Sequence, residues 1–179
     1  MDIFYINRDI DKERDQSMTT NLNAFHKNII SSFTRVQAVD SKDQWVHSER
    51  LERLAKTNSK ATWFIKIFLS HLKAIQTFYY KSKSTYALIL EDDCDFIWNN
   101  IDWSKMIKTV ELTHPKWNVI KIYRNFLRYF KECNRIYTPY LQAKRNSGAV
   151  AYLVNRQTVR TILPKMVKMR FTYPNFNRF

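Results

Sequence analysis

Four of the sixteen acidic residues in this 179-residue chain fall within five positions, Glu91 to Asp95. They directly follow Tyr86–Leu90, which is apolar at every position and predicts a central strand buried on both faces. In open α/β sheets, ligands bind at the carboxyl ends of strands. Crowded carboxylates there repel one another unless a divalent cation neutralises them, and oxygen ligands suit Mg²⁺ or Mn²⁺. The cluster therefore predicts a metal site built from Asp93 with Glu91 or Asp95.

Two chemistries use acids in this position. In a nucleotide-sugar transferase, an acid-x-acid motif holds the metal that bridges the diphosphate, and Glu91–Asp93 and Asp93–Asp95 both have this spacing. In an aspartate-nucleophile phosphotransferase, Asp93 would attack phosphorus and Asp95 would act as acid and base. That pattern is usual on the first strand, which here ends in Asn7-Arg8, so we favour the transferase. A solvated acidic turn without a ligand is the plainer alternative.

Charge and glycine content narrow the choice of partner. Lys and Arg number 30 against 16 Asp and Glu, a net charge of +14 that favours nucleic acid, an anionic membrane or a phosphate-bearing small molecule. Gly148 is the only glycine, which excludes glycine-rich phosphate loops, dinucleotide fingerprints and Walker motifs. Binding of phosphate through a metal and carboxylates is the route that remains open.

Cysteine content and hydropathy bear on the cellular compartment. The two cysteines, Cys94 and Cys133, form neither a disulfide framework nor a zinc set, which favours a reducing compartment. Met1–Arg8 reads as a strand rather than as a signal peptide, and no apolar run approaches the roughly 18 residues of a membrane span. We therefore expect a cytoplasmic protein, with a basic face that can make peripheral contact with an anionic membrane.

Strand and helix patterns alternate along the chain, which predicts one α/β domain with helices on both faces of a mostly parallel sheet. The predicted strands are Asp2–Asn7, Phe33–Val39, Tyr86–Leu90, Trp117–Tyr123 and Ala149–Val154. The predicted helices are Arg8–Lys27, Asp43–Lys56, Thr62–Tyr80, Asp102–Thr113 and Arg156–Lys168, the last interrupted at Pro164.

Five short motifs occur in a fixed order between Asp2 and Asn155. They are Tyr5-Ile6-Asn7-Arg8 with Arg14, Arg35–Asp40 (RVQAVD), Ser70–Ala74 (SHLKA), Leu88–Asp93 (LILEDD) and Ser147–Asn155 with Tyr152 as its aromatic. In this order they resemble the family 25 glycosyltransferases, which include bacterial lipooligosaccharide and animal procollagen galactosyltransferases. The segment Leu88–Asp93 is similar to the family's L-V-L-E-D-D almost letter for letter.

The resemblance implies a GT-A fold, a Rossmann-like three-layer α/β sandwich with a mostly parallel central sheet. It implies a single domain over residues 1–179, with a nucleotide-binding part in about 1–95 and an acceptor-side part in about 96–179. The expected donor is a UDP-hexose, galactose or glucose by family habit, with Mn²⁺ or Mg²⁺ as cofactor. Transfer with inversion to a hydroxyl of a glycan, lipid-linked oligosaccharide or glycoprotein is the expected reaction.

Site residues follow by position in these motifs. Asp92 and Asp93 are the predicted catalytic carboxylates, with Asp92 orienting the donor sugar or ribose. Six residues are predicted to bind the donor: Asn7, Arg8, Arg14, Asp40, Ser70 and His71. Simpler readings stand beside these, because exposed arginines are commonly solvated, Asp40 could cap a helix and His71 could be a satisfied core histidine.

The segment Arg124–Arg135 interleaves cations with aromatic residues. It could stack on single-stranded nucleic acid, lie on an anionic membrane, hold an anionic acceptor glycan or form an ordinary basic helix. A basic nucleic-acid-binding domain is therefore the rival interpretation, although we rank nucleic acid below the sugar donor. A third is an inactive UDP-binding domain, because the chain ends soon after Tyr152 whereas the family continues with a further acidic segment and helices.

Overall fold

The computed structural model describes residues 1–24, 31–40, 59–94, 102–122 and 151–172. Five strands and four helices lie within these ranges, in the order β1 (Asp2–Asn7), α1 (Lys12–Ala24), β2 (Ser32–Gln37), α2 (Ser59–Lys81), β3 (Tyr86–Glu91), α3 (Trp103–Thr113), β4 (Val119–Lys121), β5 (Ala151–Asn155) and α4 (Arg156–Thr172). The helix predicted for Asp43–Lys56 and the basic segment Arg124–Arg135 lie outside the described residues.

The five strands form one sheet in the order β2-β1-β3-β5-β4. β1 pairs in parallel with both β2 and β3, whereas β5 runs antiparallel to β3 and to β4. The predicted α/β architecture is confirmed, and the sheet is mixed, with parallel pairing in its centre. β4 begins two residues later than predicted, because the carbonyl of Trp117 accepts hydrogen bonds from the side chains of Asn155 and Thr158 rather than from a neighbouring strand. Tyr123, the predicted end of this strand, lies outside the described residues.

Helices cover both faces of the sheet, which gives three layers. Alternate residues of β1 divide between two cores: Ile3 and Tyr5 pack with α1 and α3, and Phe4 and Ile6 pack with α2 and α4. In β3 the residues Ala87–Leu90 are all 0% exposed, as expected for a central strand that packs on both faces. No helix among the described residues has the length and apolarity needed to cross a bilayer.

The polar ends of several strands lie together along one edge of the sheet. The carboxyl ends of β1, β2 and β3 meet there, with Asn7 opposite Gln37 and the acidic cluster beginning at Glu91. Because β5 runs the other way, its first residue, Ala151, also lies at this edge. The side chains of the predicted site therefore have strand ends and helix starts available to position them.

Helix α4 continues through Pro164, so the predicted interruption of this helix is wrong. A proline in a helix interior costs about 3 kcal/mol because it removes a backbone hydrogen bond and crowds the preceding turn. Apolar side chains on either side of the proline offset that cost: Val159 and Leu163 are buried, and Met166 and Val167 pack against the same core. Tertiary packing outweighs the local propensity here.

The opposite edge of the sheet is held by a single arginine, Arg156, at the start of α4. Its guanidinium donates hydrogen bonds to four backbone carbonyl oxygens, those of Phe78, Tyr79, Ser82 and Ser84. It also lies over the Phe78 ring, 4.7 Å from the centroid. The last carbonyls of a helix have no partner within the helix, so Arg156 satisfies and neutralises the carboxyl end of α2.

We expect Arg156→Ala to lower the free energy of unfolding by about 3 kcal/mol, because four partly buried carbonyls would lose a charged donor together. The stability of Arg156→Lys should lie between those of wild type and Arg156→Ala, since an ammonium keeps the charge but not the forked geometry. The measurement is urea denaturation, with the exposed Arg160→Ala on the same helix as control, expected within about 0.5 kcal/mol of wild type. Equal midpoints for Arg156→Ala and Arg160→Ala would contradict this role.

Candidate functional site at the carboxyl end of β3

Glu91 is the last residue of β3 and is held by a buried hydrogen-bond chain. The Nε2 atom of His71, on α2, lies 3.0 Å from Oε1 of Glu91. The other ring nitrogen, Nδ1, lies 3.1 Å from the hydroxyl of Tyr152 on β5. His71 is 6% exposed and Tyr152 is 7% exposed. The hydrogen bonds therefore run from the buried interior of the sheet out to the Glu91 carboxylate.

The chemistry of the carboxylate fixes the direction of the hydrogen bond between His71 and Glu91. A carboxylate only accepts, so Nε2 of His71 carries the proton and donates to Glu91. In a neutral ring Nδ1 is then the acceptor, and the Tyr152 hydroxyl donates to it. Burial, and after it the charge of Glu91, raises the pKa of Tyr152, so this hydroxyl keeps its proton.

Asp92 is held by two residues from the first strand and helix. Its Oδ2 accepts a hydrogen bond of 2.8 Å from Nδ2 of Asn7, and its Oδ1 pairs with the guanidinium of Arg14 at 3.2 Å. The Asp92 side chain is 12% exposed and that of Arg14 is 54% exposed. Asp92 is thus fixed through both oxygens, while the Arg14 side chain stays about half exposed to solvent.

Asn7 links three strands at this edge. Besides donating to Asp92, its Nδ2 donates to the backbone carbonyl of Asp11, and its Oδ1 accepts from Nε of Arg35 on β2. Arg35 in turn pairs with Asp9 and Asp15, which lie on the chain that follows β1. Asn7 is 1% exposed, and its side chain holds Asp92 together with Asp11 and Arg35.

Asp93 is exposed and differs from its two neighbours. Although the side chain reaches solvent, partial desolvation of its carboxyl raises its pKa above the ordinary value, and the negative charges of Glu91 and Asp92 raise it further. Ionised Asp93 is therefore the least compensated of the three acids. A cation at this position would relieve the repulsion that the protein itself leaves in place.

The remaining predicted residues lie around this edge in different roles. Ser70 is buried, and its hydroxyl donates to the carbonyl of Lys66 and accepts from the amide of Val39, which ties α2 to the end of β2. Asp40, the residue after Val39, is exposed. Arg8 is exposed and pairs with Asp11, which begins the turn into α1. Asp95 lies outside the described residues.

The carboxylate oxygens at this edge suit a divalent cation that also binds oxygens of a second ligand. Within the described ranges, no three His, Cys, Asp or Glu side chains converge as a set able to hold a metal ion. Mg²⁺ does not need such a cage, since it is usually held by one or two carboxylates together with waters and substrate phosphates. Glu91 and Asp93 fit that pattern, whereas both oxygens of Asp92 are already engaged.

Two residues of this arrangement, Tyr152 and Arg35, have no hydrogen-bonding role predicted by the sequence. Tyr152 is identified there as the aromatic residue of one motif, and Arg35 as the first residue of another. For Arg35 a signal exists, since a lone cation on a strand beside the acid-rich segment Asp9–Asp15 predicts an ion-pair partner. For Tyr152 the polar contact depends on β5 lying beside β3, which the sequence does not reveal.

No protein-family model and no curated protein sequence matches this chain. The resemblance to the family 25 glycosyltransferases therefore stays a prediction.

Asn7→Asp tests the role of Asn7 in holding Asp92. The change keeps the shape, removes the amide donors to Asp92 and Asp11, and places a second carboxylate beside the first. We expect a loss of about 2 kcal/mol of unfolding free energy at neutral pH. The exposed helical change Gln16→Glu adds the same charge and should stay within about 0.5 kcal/mol of wild type. Equal stabilities for the two variants in urea denaturation would argue against this role.

Asp93→Asn should stabilise the metal-free protein, by less than about 1 kcal/mol because the residue is exposed. An acid whose pKa is raised in the folded state binds its proton more tightly there, so its ionisation weakens folding as pH rises through that pKa. The advantage of Asp93→Asn should thus be present at pH 7 and vanish below about pH 4, near the unfolded value. Thermal melts across this range measure it, and a variant less stable than wild type at pH 7 would contradict the account.

Proposed function

We propose that this protein is a metal-dependent glycosyltransferase of the GT-A type. It transfers a hexose from a UDP-sugar to a hydroxyl acceptor, with inversion. The observation that carries the proposal is the arrangement of three consecutive carboxylates at the end of the buried strand β3. Two of them are individually held by partners and the third, Asp93, is left with a raised pKa.

The three carboxylates divide the work in this proposal. Glu91 and Asp93 hold the Mn²⁺ or Mg²⁺ ion. When bound, the ion supplies a positive charge that stabilises the departing diphosphate. Asn7 and Arg14 fix Asp92, and each occupies a lone pair of one carboxylate oxygen. The remaining lone pairs of Asp92 can accept hydrogen bonds from the hydroxyls of the sugar or ribose.

Arginines beside the acids complete the donor site. Arg14 uses one of its five N–H donors on Asp92, and its side chain is 54% exposed, so the rest of the guanidinium can bind a phosphate oxygen. Arg8 lies nearby at the turn into α1. An anionic diphosphate would thus lie between a cation held by acids on one side and guanidinium groups on the other.

His71 and Ser70 support the site rather than meet the substrate. Both ring nitrogens of His71 are hydrogen-bonded and the residue is buried, so it does not supply the general base for the acceptor hydroxyl. Ser70 is buried with its hydroxyl engaged on both sides. The preference for UDP and for galactose or glucose rests on the sequence resemblance alone.

The acceptor in this proposal is a glycan, a lipid-linked oligosaccharide or a glycoprotein. A net charge of +14 around an acidic site favours an acceptor or a membrane surface of negative charge. We place the protein in the cytoplasm, where a basic face can make peripheral contact with an anionic bilayer.

Binding of the donor nucleotide is tested by thermal denaturation. MnCl₂ with UDP should raise the melting temperature, because a ligand that binds only the folded state stabilises it by about 2.7 kcal/mol at one hundred times its dissociation constant. That corresponds to roughly 5–10 °C for a chain of this size. Asp93→Ala should abolish the shift, because it removes the carboxylate least compensated by the protein.

The matched control is Glu111→Gln on α3. Glu111 accepts a hydrogen bond from Tyr86, the first residue of β3, and so lies at the far end of the strand from the site. It should leave the shift unchanged. Absence of any shift with Mn²⁺ and nucleoside diphosphates would exclude donor binding.

Salt dependence separates the rival interpretation from this one. A nucleic-acid-binding domain would instead bind a single-stranded oligonucleotide with an affinity that falls steeply with salt and is indifferent to Asp93→Ala. A UDP-dependent shift without turnover of any UDP-sugar would identify an inactive donor-binding domain.

A further inference from the structure

We infer that His71 and Tyr152 are positioning residues for the cation site. They hold Glu91 through its Oε1 atom so that Oε2 is presented to the ion. This inference rests on the proposed function, because it assigns a task within the same site. It assigns that task to two buried side chains that touch neither the donor nor the cation.

The geometry separates the two oxygens of Glu91. Oε1 accepts the hydrogen bond from His71 at 3.0 Å, whereas among the described residues no hydrogen bond reaches Oε2. The Glu91 side chain is 27% exposed and that of His71 is 8% exposed. Oε1 is thus held by the buried His71, while the Glu91 side chain as a whole stays partly open to solvent.

The hydrogen bonds that join Tyr152, His71 and Glu91 fix the orientation of the His71 ring as well as its distance from Glu91. Because the Glu91 carboxylate only accepts, the ring proton lies on Nε2, the atom that faces Glu91, and the Tyr152 hydroxyl contacts the opposite ring nitrogen, Nδ1. Tyr152 and His71 also pack against each other, with ring centroids 5.5 Å apart. Outer partners of this kind orient a ligating group and set its basicity, and their loss typically weakens metal affinity 10- to 100-fold.

An ordinary core histidine would satisfy its ring nitrogens with any available carbonyl or hydroxyl. Here the partner is a carboxylate of the acidic cluster, 20 residues further along the chain and on a different element. The opposite ring nitrogen contacts the Tyr152 hydroxyl on a second element, so the two contacts together fix the orientation of the ring. A role confined to core packing does not require that specific donor.

The donor can be removed or retained by substitution. His71→Leu removes both hydrogen bonds, whereas His71→Gln retains an amide N–H near the position of Nε2. The control is Val154→Ala, which shortens a fully buried side chain two residues after Tyr152 on the same face of β5. Circular dichroism and thermal melts verify the folding of each variant.

The probe is MnCl₂, titrated into the protein and followed by the electron paramagnetic resonance signal of the free ion. We expect His71→Leu to weaken Mn²⁺ binding by at least about tenfold. His71→Gln should stay within about threefold of wild type, and Val154→Ala should bind as wild type does while melting earlier. Equal affinities for His71→Leu and wild type, or equal losses for both His71 variants, would overturn the inference and leave the proposed function intact.

Two further measurements cover the remaining outcomes. If the His71 variants do not fold, Tyr152→Phe keeps the ring and removes only the hydroxyl, and unchanged Mn²⁺ affinity in this variant overturns the inference. Nitrogen-15 NMR of the four histidines in the metal-free protein reports the ring protonation directly. A proton on Nε2 of His71 supports the inference, and one on Nδ1 alone overturns it. Wild type that binds no Mn²⁺, with or without UDP, contradicts the proposed function itself and with it this inference.

Discussion

The site depends on the repulsion among three carboxylates that the chain places at the end of the buried strand β3. Residues Ala87–Leu90 are completely enclosed between the two cores, so the end of β3 is fixed by packing rather than by the charges that follow it. Glu91, Asp92 and Asp93 therefore have no freedom to separate widely. Like charges held together raise the cost of ionisation, and the neighbouring elements compensate that cost only in part.

The compensation is distributed unevenly, and that unevenness gives the site its chemical character. Asp92 receives a neutral amide and a guanidinium, and Glu91 receives a histidine N–H, while Asp93 is left with a raised pKa. Folded proteins usually pair or solvate their acids fully. A deficit of positive charge beside exposed guanidinium groups is the pattern expected where a cation and an anionic ligand bind together.

The supporting contacts join distant parts of the chain. Asn7 and Asp92 are 85 residues apart, Arg14 and Asp92 are 78 apart, and His71 and Tyr152 are 81 apart. Each therefore forms only when the sheet has assembled with β1, β3 and β5 side by side. Binding at the acidic cluster should for this reason stabilise the whole fold.

Much of the fold was predictable from local pattern, because apolar alternation and length identify strands and helices. The continuous apolar run of β3 and the abrupt change to acids after it correctly placed the acidic cluster at a strand end. The direction of β5 was not predictable, since a strand buried on both faces reads the same in either direction. The continuity of α4 through Pro164 was likewise set by tertiary packing around Val159 and Leu163.

The residues of the site divide in the same way. Glu91, Asp92 and Asp93 were identified from their own neighbours in the sequence. The contact between His71 and Glu91 was not predictable from spacing, because it depends on how α2 crosses the sheet. Tyr152 and Arg35 act through pairings between elements, so their roles became visible only once those elements were placed.

The central claim is that the acidic edge of β3 turns over a nucleotide sugar with the help of a divalent cation. Its most direct test is a panel of nucleotide sugars, incubated with the protein and MnCl₂ and scored for release of the nucleoside diphosphate. The account predicts release from a UDP-hexose that requires the metal and is lost in Asp93→Ala. Release from no nucleotide sugar, or release that persists without the metal and in Asp93→Ala, would contradict it.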